Sequence, residues 1–261
     1  MKRTTGCLAA FACAFLAPVS VLADEHEAAQ DLPDIMPVVA YTCDFVGDKA
    51  MPDLMKVVKE FNDWADDRDI TDYYAALLTP QYFGERLFDV GWLAASADGH
   101  ALGSLMDSWS NDGGELGAMF DEVIDCSSVT SFASMTIRPP AEPEDDRDTG
   151  FVLSFSNCSI RDEVSFGDVM AGLNAWSEHA GAAGFQSAMW IMFPVYGESN
   201  ADYSFKFVEG FDDYAAFGAD FELMGNGGHW AANSEILDPL MRCDISRLYD
   251  GVTIRRMEAD D

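Results

Sequence analysis

The sequence predicts an α+β chain in which one folding unit occurs twice in tandem. Three observations point to this. Val57-Val58-Lys59-Glu60-Phe61-Asn62-Asp63-Trp64 and Val169-Met170-Ala171-Gly172-Leu173-Asn174-Ala175-Trp176 share apolar, Asn and Trp positions at an offset of 112. Leu77-Leu78-Thr79-Pro80-Gln81-Tyr82 and Ile191-Met192-Phe193-Pro194-Val195-Tyr196 match at an offset of 114. Asn111-Asp112-Gly113-Gly114 and Asn226-Gly227-Gly228 then fall inside or just after a helical pattern in each copy. Two cysteine pairs frame the copies: Cys43 and Cys126 are 83 residues apart, Cys158 and Cys243 are 85 apart. Matches in the same order at nearly one offset are the signature of an internal repeat.

The elements follow in order. Residues 38–45 are rich in β-formers and read as a strand. Pro52 suits a first helical position, and Leu54, Val57, Val58, Phe61, Trp64 and Ala65 recur at helical spacing. Tyr73–Tyr82 reads as a strand whose Pro80 signals an edge or a bulge. Leu87–Ala95 reads as a third, with Phe88, Val90, Trp92 and Ala94 on one face and Leu87, Asp89, Gly91 and Leu93 on the other. Leu102, Leu105, Met106 and Trp109 start a helix that Asn111–Gly114 breaks and Leu116, Met119, Phe120 and Val123 resume. Ser127–Ile137 is the fourth strand.

Arg138–Gly150 holds three prolines and no apolar period, and so reads as a linker. The pattern restarts with a strand over 151–159. Ser165-Phe166-Gly167-Asp168 resembles a capping box with Asp replacing Glu or Gln, opening a helix with the stripe Phe166, Val169, Met170, Leu173 and Trp176. Residues 186–196 and 203–209 read as strands. Asp212-Asp213 starts another helix, with Tyr214, Phe217 and Phe221 as its expected buried face. Residues 244–254 form the last strand. The predicted units are a signal peptide 1–23, a loose N-terminus 24–37, repeat 1 over 38–137, the linker 138–150, repeat 2 over 151–256 and an acidic tail 257–261.

Lys2 and Arg3, the small apolar stretch Gly6–Val21 and Val21-Leu22-Ala23 together read as a secretory signal cleaved near Ala23. This implies a secreted or periplasmic protein with no membrane association once the signal is gone. The remaining chain has 13 basic and 46 acidic residues, a net charge of −33. That field repels nucleic acid and anionic lipid. Asp145-Asp146-Arg147-Asp148 lacks the alternation of a calcium loop, and no His/Cys/Asp/Glu spacing suggests a metal. Cys7 and Cys13 leave with the signal. The four remaining cysteines allow three pairings, or four thiols. An oxidising compartment favours bonds, and one bond per unit, Cys43–Cys126 and Cys158–Cys243, is the expected pattern.

Strand–helix–strand–strand–helix–strand is the split β-α-β order of a ferredoxin-like unit. There the end of strand one lies beside the start of strand four, which is where each cysteine pair falls. Two such units, each with a long broken second helix, resemble the dimeric α+β barrel superfamily, which includes the antibiotic-biosynthesis monooxygenases and stress-responsive barrel proteins. The resemblance covers about residues 38–254. It implies two antiparallel sheets facing each other around a cavity, here as a monomeric pseudo-dimer. The superfamily holds cofactor-independent oxygenases, haem-bound chlorite dismutases, small isomerases and proteins of no known reaction, so the fold does not name a function.

The candidate residues are correspondingly few. Neither G-x-S-x-G nor HxxxH occurs. His26, His100, His179 and His229 read as tail, cap or surface positions: His100 at a helix start, His179 after a helix end, His229 in an irregular segment. No axial haem ligand emerges, and no cofactor is expected. Asp89 and Lys206 interrupt apolar strands on the face opposite Trp92 and Phe207, and Arg247 lies on the last strand. These three are the acid/base candidates, because a buried ionisable group in a cleft is a site signal. Tyr82, Trp92, Trp190, Tyr196 and Phe207 are the candidates for lining a pocket, although a strand aromatic is more often core. The expected function is binding of a small apolar or aromatic molecule between the repeats. The alternative is a cofactor-independent monooxygenase-like or isomerase-like enzyme.

Overall fold

The computed structural model describes residues 34–140, 150–197 and 202–257. The signal, its cleavage point, most of the linker and most of the acidic tail lie outside the described residues. In chain order the elements are β1 (Ile35–Phe45), α1 (Met51–Asp66), β2 (Tyr73–Tyr82), β3 (Val90–Ser96), α2 (Gly99–Asp112), α3 (Gly114–Asp121) and β4 (Ile124–Arg138). The back half continues with β5 (Gly150–Ile160), α4 (Phe166–Ala183), β6 (Ala188–Tyr196), β7 (Phe205–Phe211), α5 (Tyr214–Gly225), α6 (Trp230–Leu237), β8 (Met241–Cys243) and β9 (Arg247–Arg255).

Local chemistry sets the helix ends. Pro52 lies in the first turn of α1, where a missing N–H costs nothing. The Asp98 carboxylate accepts from His100 N–H and Ala101 N–H, both at 2.8 Å, and starts α2. Ser165 and Asp168 form a reciprocal capping box on α4. Gly184, at φ +91°, closes that helix in the left-handed region that glycine adopts without strain. Between α2 and α3, a side chain at Gly113 would meet the Trp109 carbonyl oxygen at 2.6 Å, so only glycine fits the break.

Every strand pairing is antiparallel. The front half runs β4-β1-β3-β2 and the back half β6-β7-β5-β9. Ladders β4–β6 and β2–β9 join the two along both seams. The halves are thus not two separate facing sheets: hydrogen bonds run unbroken around one closed barrel of eight strands. β8 stands outside the ring and extends β5 at Cys158–Ile160, beyond the point where β9 leaves.

Alternation along each strand sends one row of side chains inward and the next toward the helices. Val38, Leu78, Leu93, Phe132, Leu153, Met192 and Val208 fill the lumen. An eight-stranded barrel is about wide enough for side chains to fill. Outside, Leu54, Val57, Phe61, Tyr73, Leu77, Val90 and Trp92 pack under α1 to α3. Met135, Val169, Leu173, Trp176, Met189, Ile191 and Phe205 form the equivalent layer under α4 to α6. Fully burying side chains such as Leu54 and Leu173 contributes about 1.5–3 kcal/mol each.

Disulfides Cys43–Cys126 and Cys158–Cys243 are both present, each between directly paired residues of adjacent strands. They suit an oxidising compartment. No described helix is long and apolar enough to cross a membrane.

Several sequence expectations change. The strands take in both ends of the expected linker, since β4 runs to Arg138 and β5 begins at Gly150. Of the two readings of Pro80, an edge or a bulge, the structure shows the bulge, against β9. The last strand is interrupted over 244–246. On α5 the expected buried face holds only at Phe217, which packs on Phe211 at 5.4 Å; Tyr214 and Phe221 are exposed, and Ala216 and Asp220 are buried. The cause is Asp220, whose carboxylate accepts from Gln186 N–H at 2.7 Å and Ser187 N–H at 2.9 Å and so turns the helix.

Candidate functional site

One end of the barrel gathers most of the residues that the sequence singles out. Antiparallel register places the C-terminal ends of β1, β2, β5 and β6 beside the N-terminal ends of β3, β4, β7 and β9. Tyr82, Asp89, Tyr196, Lys206 and Arg247 all lie at that end, as do both disulfides.

The floor of this mouth is aromatic and drawn from both halves. Phe88 lies parallel to Tyr249, with centroids 6.0 Å apart and planes 5° off. Phe155 meets the same Tyr249 edge-on at 5.5 Å. Phe88 precedes β3 and folds over Gly91, where a side chain would stand 3.7 Å from its ring. It therefore leaves the Trp92 face on which alternation had placed it. Phe88, Phe155 and Tyr249 are half-buried, while Leu93, Phe132 and Val208 deeper in the lumen are closed off.

Polar groups ring this floor. Lys206 points to the lumen side of β7. Its ammonium donates to Asn157 Oδ1 at 2.9 Å, and lies 5.8 Å from the Phe132 centroid and 4.3 Å from that of Tyr203. Arg247 pairs with Asp244 through both terminal nitrogens, at 2.8 and 3.1 Å. Asp244 also accepts from Asn157 N–H at 2.7 Å. Partial burial raises the Asp244 pKa, but the Arg247 and Asn157 hydrogen bonds outweigh it, and the net shift is downward. Burial pushes the Tyr249 hydroxyl up, with Arg247 opposing. Beside this ring opens a polar cleft of about 490 Å³, lined by Asn157, Ser159, Asp202, Tyr203, Arg242 and Asp244 together with Cys243.

Asp89 is not on its predicted strand. It precedes β3, where its carboxylate accepts from Phe45 N–H at 3.1 Å and pairs with Arg86 at 2.6 Å. It is tied to the rim and does not look into the lumen. Of the aromatic candidates, Trp190 lies in the lumen layer against Gly210, where an added side chain would meet its ring at 2.8 Å. Trp92 and Phe207 belong to the helix-facing layers; Trp92 Nε1 donates to the Tyr73 hydroxyl at 3.1 Å. Tyr82 and Tyr196 are exposed strand ends.

Sequence reasoning missed Phe88, Phe155, Asn157, Asp244 and Tyr249. Phe155 shares the strand face of Leu153, two residues before it, while Tyr249 joins that face only through its pairing with Leu153. A second missed group sits on the outer face of β7. There Glu209 lies between Asp220 and Arg138, and burial with Asp220 pushes its pKa up to about 7 against the pull of Arg138. Arg138 itself donates to the carbonyls of Ser187 at 2.6 Å and Phe185 at 3.0 Å.

No protein-family model matches the chain, and no curated protein matches it. Solved structures do. A candidate chlorite dismutase aligns at TM-score 0.52 and 11% identity, over 84% of this chain and 96% of that one. A candidate DyP-type peroxidase from Shewanella oneidensis aligns at 0.51 and 8%, over 86% and 97%. A candidate monooxygenase from Lactobacillus acidophilus NCFM aligns at 0.50 and 10%, over 87% and 98%. The chain therefore has the dimeric α+β barrel fold, and at these identities the likeness extends to the fold alone.

Haem, which that fold class includes, does not fit the residues present. Leu173 and Phe205 at 0% exposure and Trp176 at 1% occupy the space between the back sheet and its helices, and Leu54 at 0% that of the front. His100 is exposed at the start of α2, while His179 and His229 bond to each other. Among the described residues no three or more His, Cys, Asp or Glu converge on one point.

Proposed function

We propose that this is an exported, internally duplicated barrel, with copies at 38–137 and 151–256, that holds one small apolar or aromatic molecule at the mouth between its halves. The observation that carries this reading is the half-open aromatic floor. Phe88 comes from the front copy, Phe155 and Tyr249 from the back, and the lumen beneath them is closed by side chains. A flat apolar ligand would stack on these rings, an arrangement that adds about 0.5–1.5 kcal/mol per ring pair beyond area burial. Its polar end would face Asn157 and the adjoining cleft. Small-molecule sites commonly combine such an apolar wall with a few convergent polar groups. The enzyme reading draws less support, since Asp89 is committed to Phe45 and Arg86 at the rim.

Native mass spectrometry of untagged protein released from the periplasm tests this. The expected result is a mass above that of the oxidised polypeptide in the parent, lost in Tyr249→Ala and Phe155→Ala variants that keep the parent near-UV spectrum. A bare polypeptide mass, together with anilinonaphthalene sulfonate fluorescence that is identical in parent and Tyr249→Ala, would refute the reading.

A further inference from the structure

The back half carries a pair of imidazoles that the mouth does not use. The sequence places His179 after a helix, but it lies inside α4, and His229 immediately precedes α6. His179 Nε2 and His229 Nδ1 are 3.0 Å apart. Trp176, one turn earlier on α4, stacks on His179 at 5.5 Å and 22°, and Phe185 meets His229 edge-on at 5.6 Å. Packing therefore holds both rings, on two separate elements. Such a bond takes one N–H and one lone pair, so at least one ring is neutral. The outer nitrogens, His179 Nδ1 and His229 Nε2, make no hydrogen bond to described residues. Both rings are half-buried, open enough to admit an ion.

We propose that His179 and His229 form a two-imidazole chelate for copper(II). Neutral imidazole is a metal ligand, and metal–nitrogen bonds run about 2.0 Å. Two nitrogens 3.0 Å apart then subtend about 97° at a common metal. That is a cis pair in tetragonal coordination, the geometry of copper(II) with N and O donors. The Irving–Williams order also puts copper first. The proton between the rings moves to the outer nitrogen of the donor ring, and each ring turns by about 40° so that the lone pair lying along the N···N line points at the metal. With no third protein donor converging here, the other positions go to water. The chain's formal charge of −31 raises the local cation concentration. A bound ion would clamp α4 to the start of α6, elements already in contact where Gly172 faces the Ile236 carbonyl.

The test uses the untagged chain in a His26→Ala background, which removes the tail imidazole, titrated with copper sulfate. Expected are one equivalent bound, a tetragonal electron paramagnetic resonance signal with hyperfine structure from two nitrogens, and a raised Tm. His179→Gln and His229→Gln should each weaken binding tenfold or more, and His100→Gln should leave it unchanged. Metal-free melts report separately whether the variants fold. Should they fail to fold, NMR of the histidine-labelled parent decides: copper must broaden the His179 and His229 resonances before that of His100. Equal affinity in the glutamine variants, equal broadening of all three, or a preference for zinc over copper would overturn the proposal.

Discussion

The front and back halves reach one barrel by different chemistry. In the front half the final strand, β4, runs unbroken for 15 residues, and the helix-facing layer is a web of rings in which Phe61 contacts Trp64, Tyr73, Trp92, Trp109 and Phe120. In the back half the corresponding strand breaks into β8 and β9, and the layer mixes rings such as Trp176, Phe185 and Phe205 with Met170, Met189 and Met241, joined by Met135 from β4. The break follows from the contacts of Asp244. Asp244 folds back onto Asn157 N–H and Arg247, and Ile245 is thrown out to 90% exposure. The comparison teaches that the strand ladder tolerates either core, while the polar mouth exists only where the last strand is interrupted.

The largest expected effect tests whether the halves are equally dependent on their crosslinks. The two loops span 83 and 85 residues, so chain entropy predicts nearly equal losses, about 2–5 kcal/mol for each Cys→Ser pair. Urea melts of the Cys43→Ser/Cys126→Ser and Cys158→Ser/Cys243→Ser variants should then agree. A back-half loss much the larger would mean that β8 is held mainly by its bond.

Next comes a pair of inward-facing strand glycines. A methyl group at Gly210 would stand 2.8 Å from the Trp190 ring, whereas at Gly91 its nearest neighbour is Leu78 Cβ at 3.4 Å. Gly210→Ala should cost about 1–3 kcal/mol by overpacking. Gly91→Ala should change stability much less by the same melt, and equal losses would break the contrast.

The smallest effect is a pH dependence centred on Glu209 of the back half. Glu209 has a folded pKa of about 7, above its unfolded value near 4.3. The folded state then binds more protons between those values, so stability is greatest below them and falls as pH rises toward 7. For a half-buried group the change is about 1 kcal/mol after discounting for solvent screening. Asp53, Asp98 and Asp168 shift downward, so their contribution is lost only in more acidic solution. Melts between pH 5 and 8 should flatten in Glu209→Gln, and an unchanged slope would assign the dependence elsewhere.

Much of this architecture was legible because it rests on local period and on paired cysteines. Alternation placed Trp92 and Leu93 on opposite faces, and strand order placed each cysteine beside its partner. What escaped depends on distant backbone. Nothing near Asp220 signals that Gln186 and Ser187 will offer it two amides, and that contact rotates α5 against its own apolar pattern. Similarly, the outward turn at Asp244 depends on Asn157, 87 residues away. Asp89 was misread for a simpler reason: the strand starts at Val90, three residues after the Leu87 at which its apolar pattern begins, and before a strand starts parity does not fix direction.

Neither crosslink bridges a seam: each ties strands of the same half. Should ladders β2–β9 and β4–β6 part, both halves would keep their own internal locks and display fresh edges able to pair with any chain that offers the complementary strand. The nearest such chain is normally the molecule's own other half, tethered at millimolar effective concentration, which makes closure insensitive to dilution. In crowded solution the same arrangement permits two molecules to trade halves, yielding an interlocked dimer with every native hydrogen bond intact.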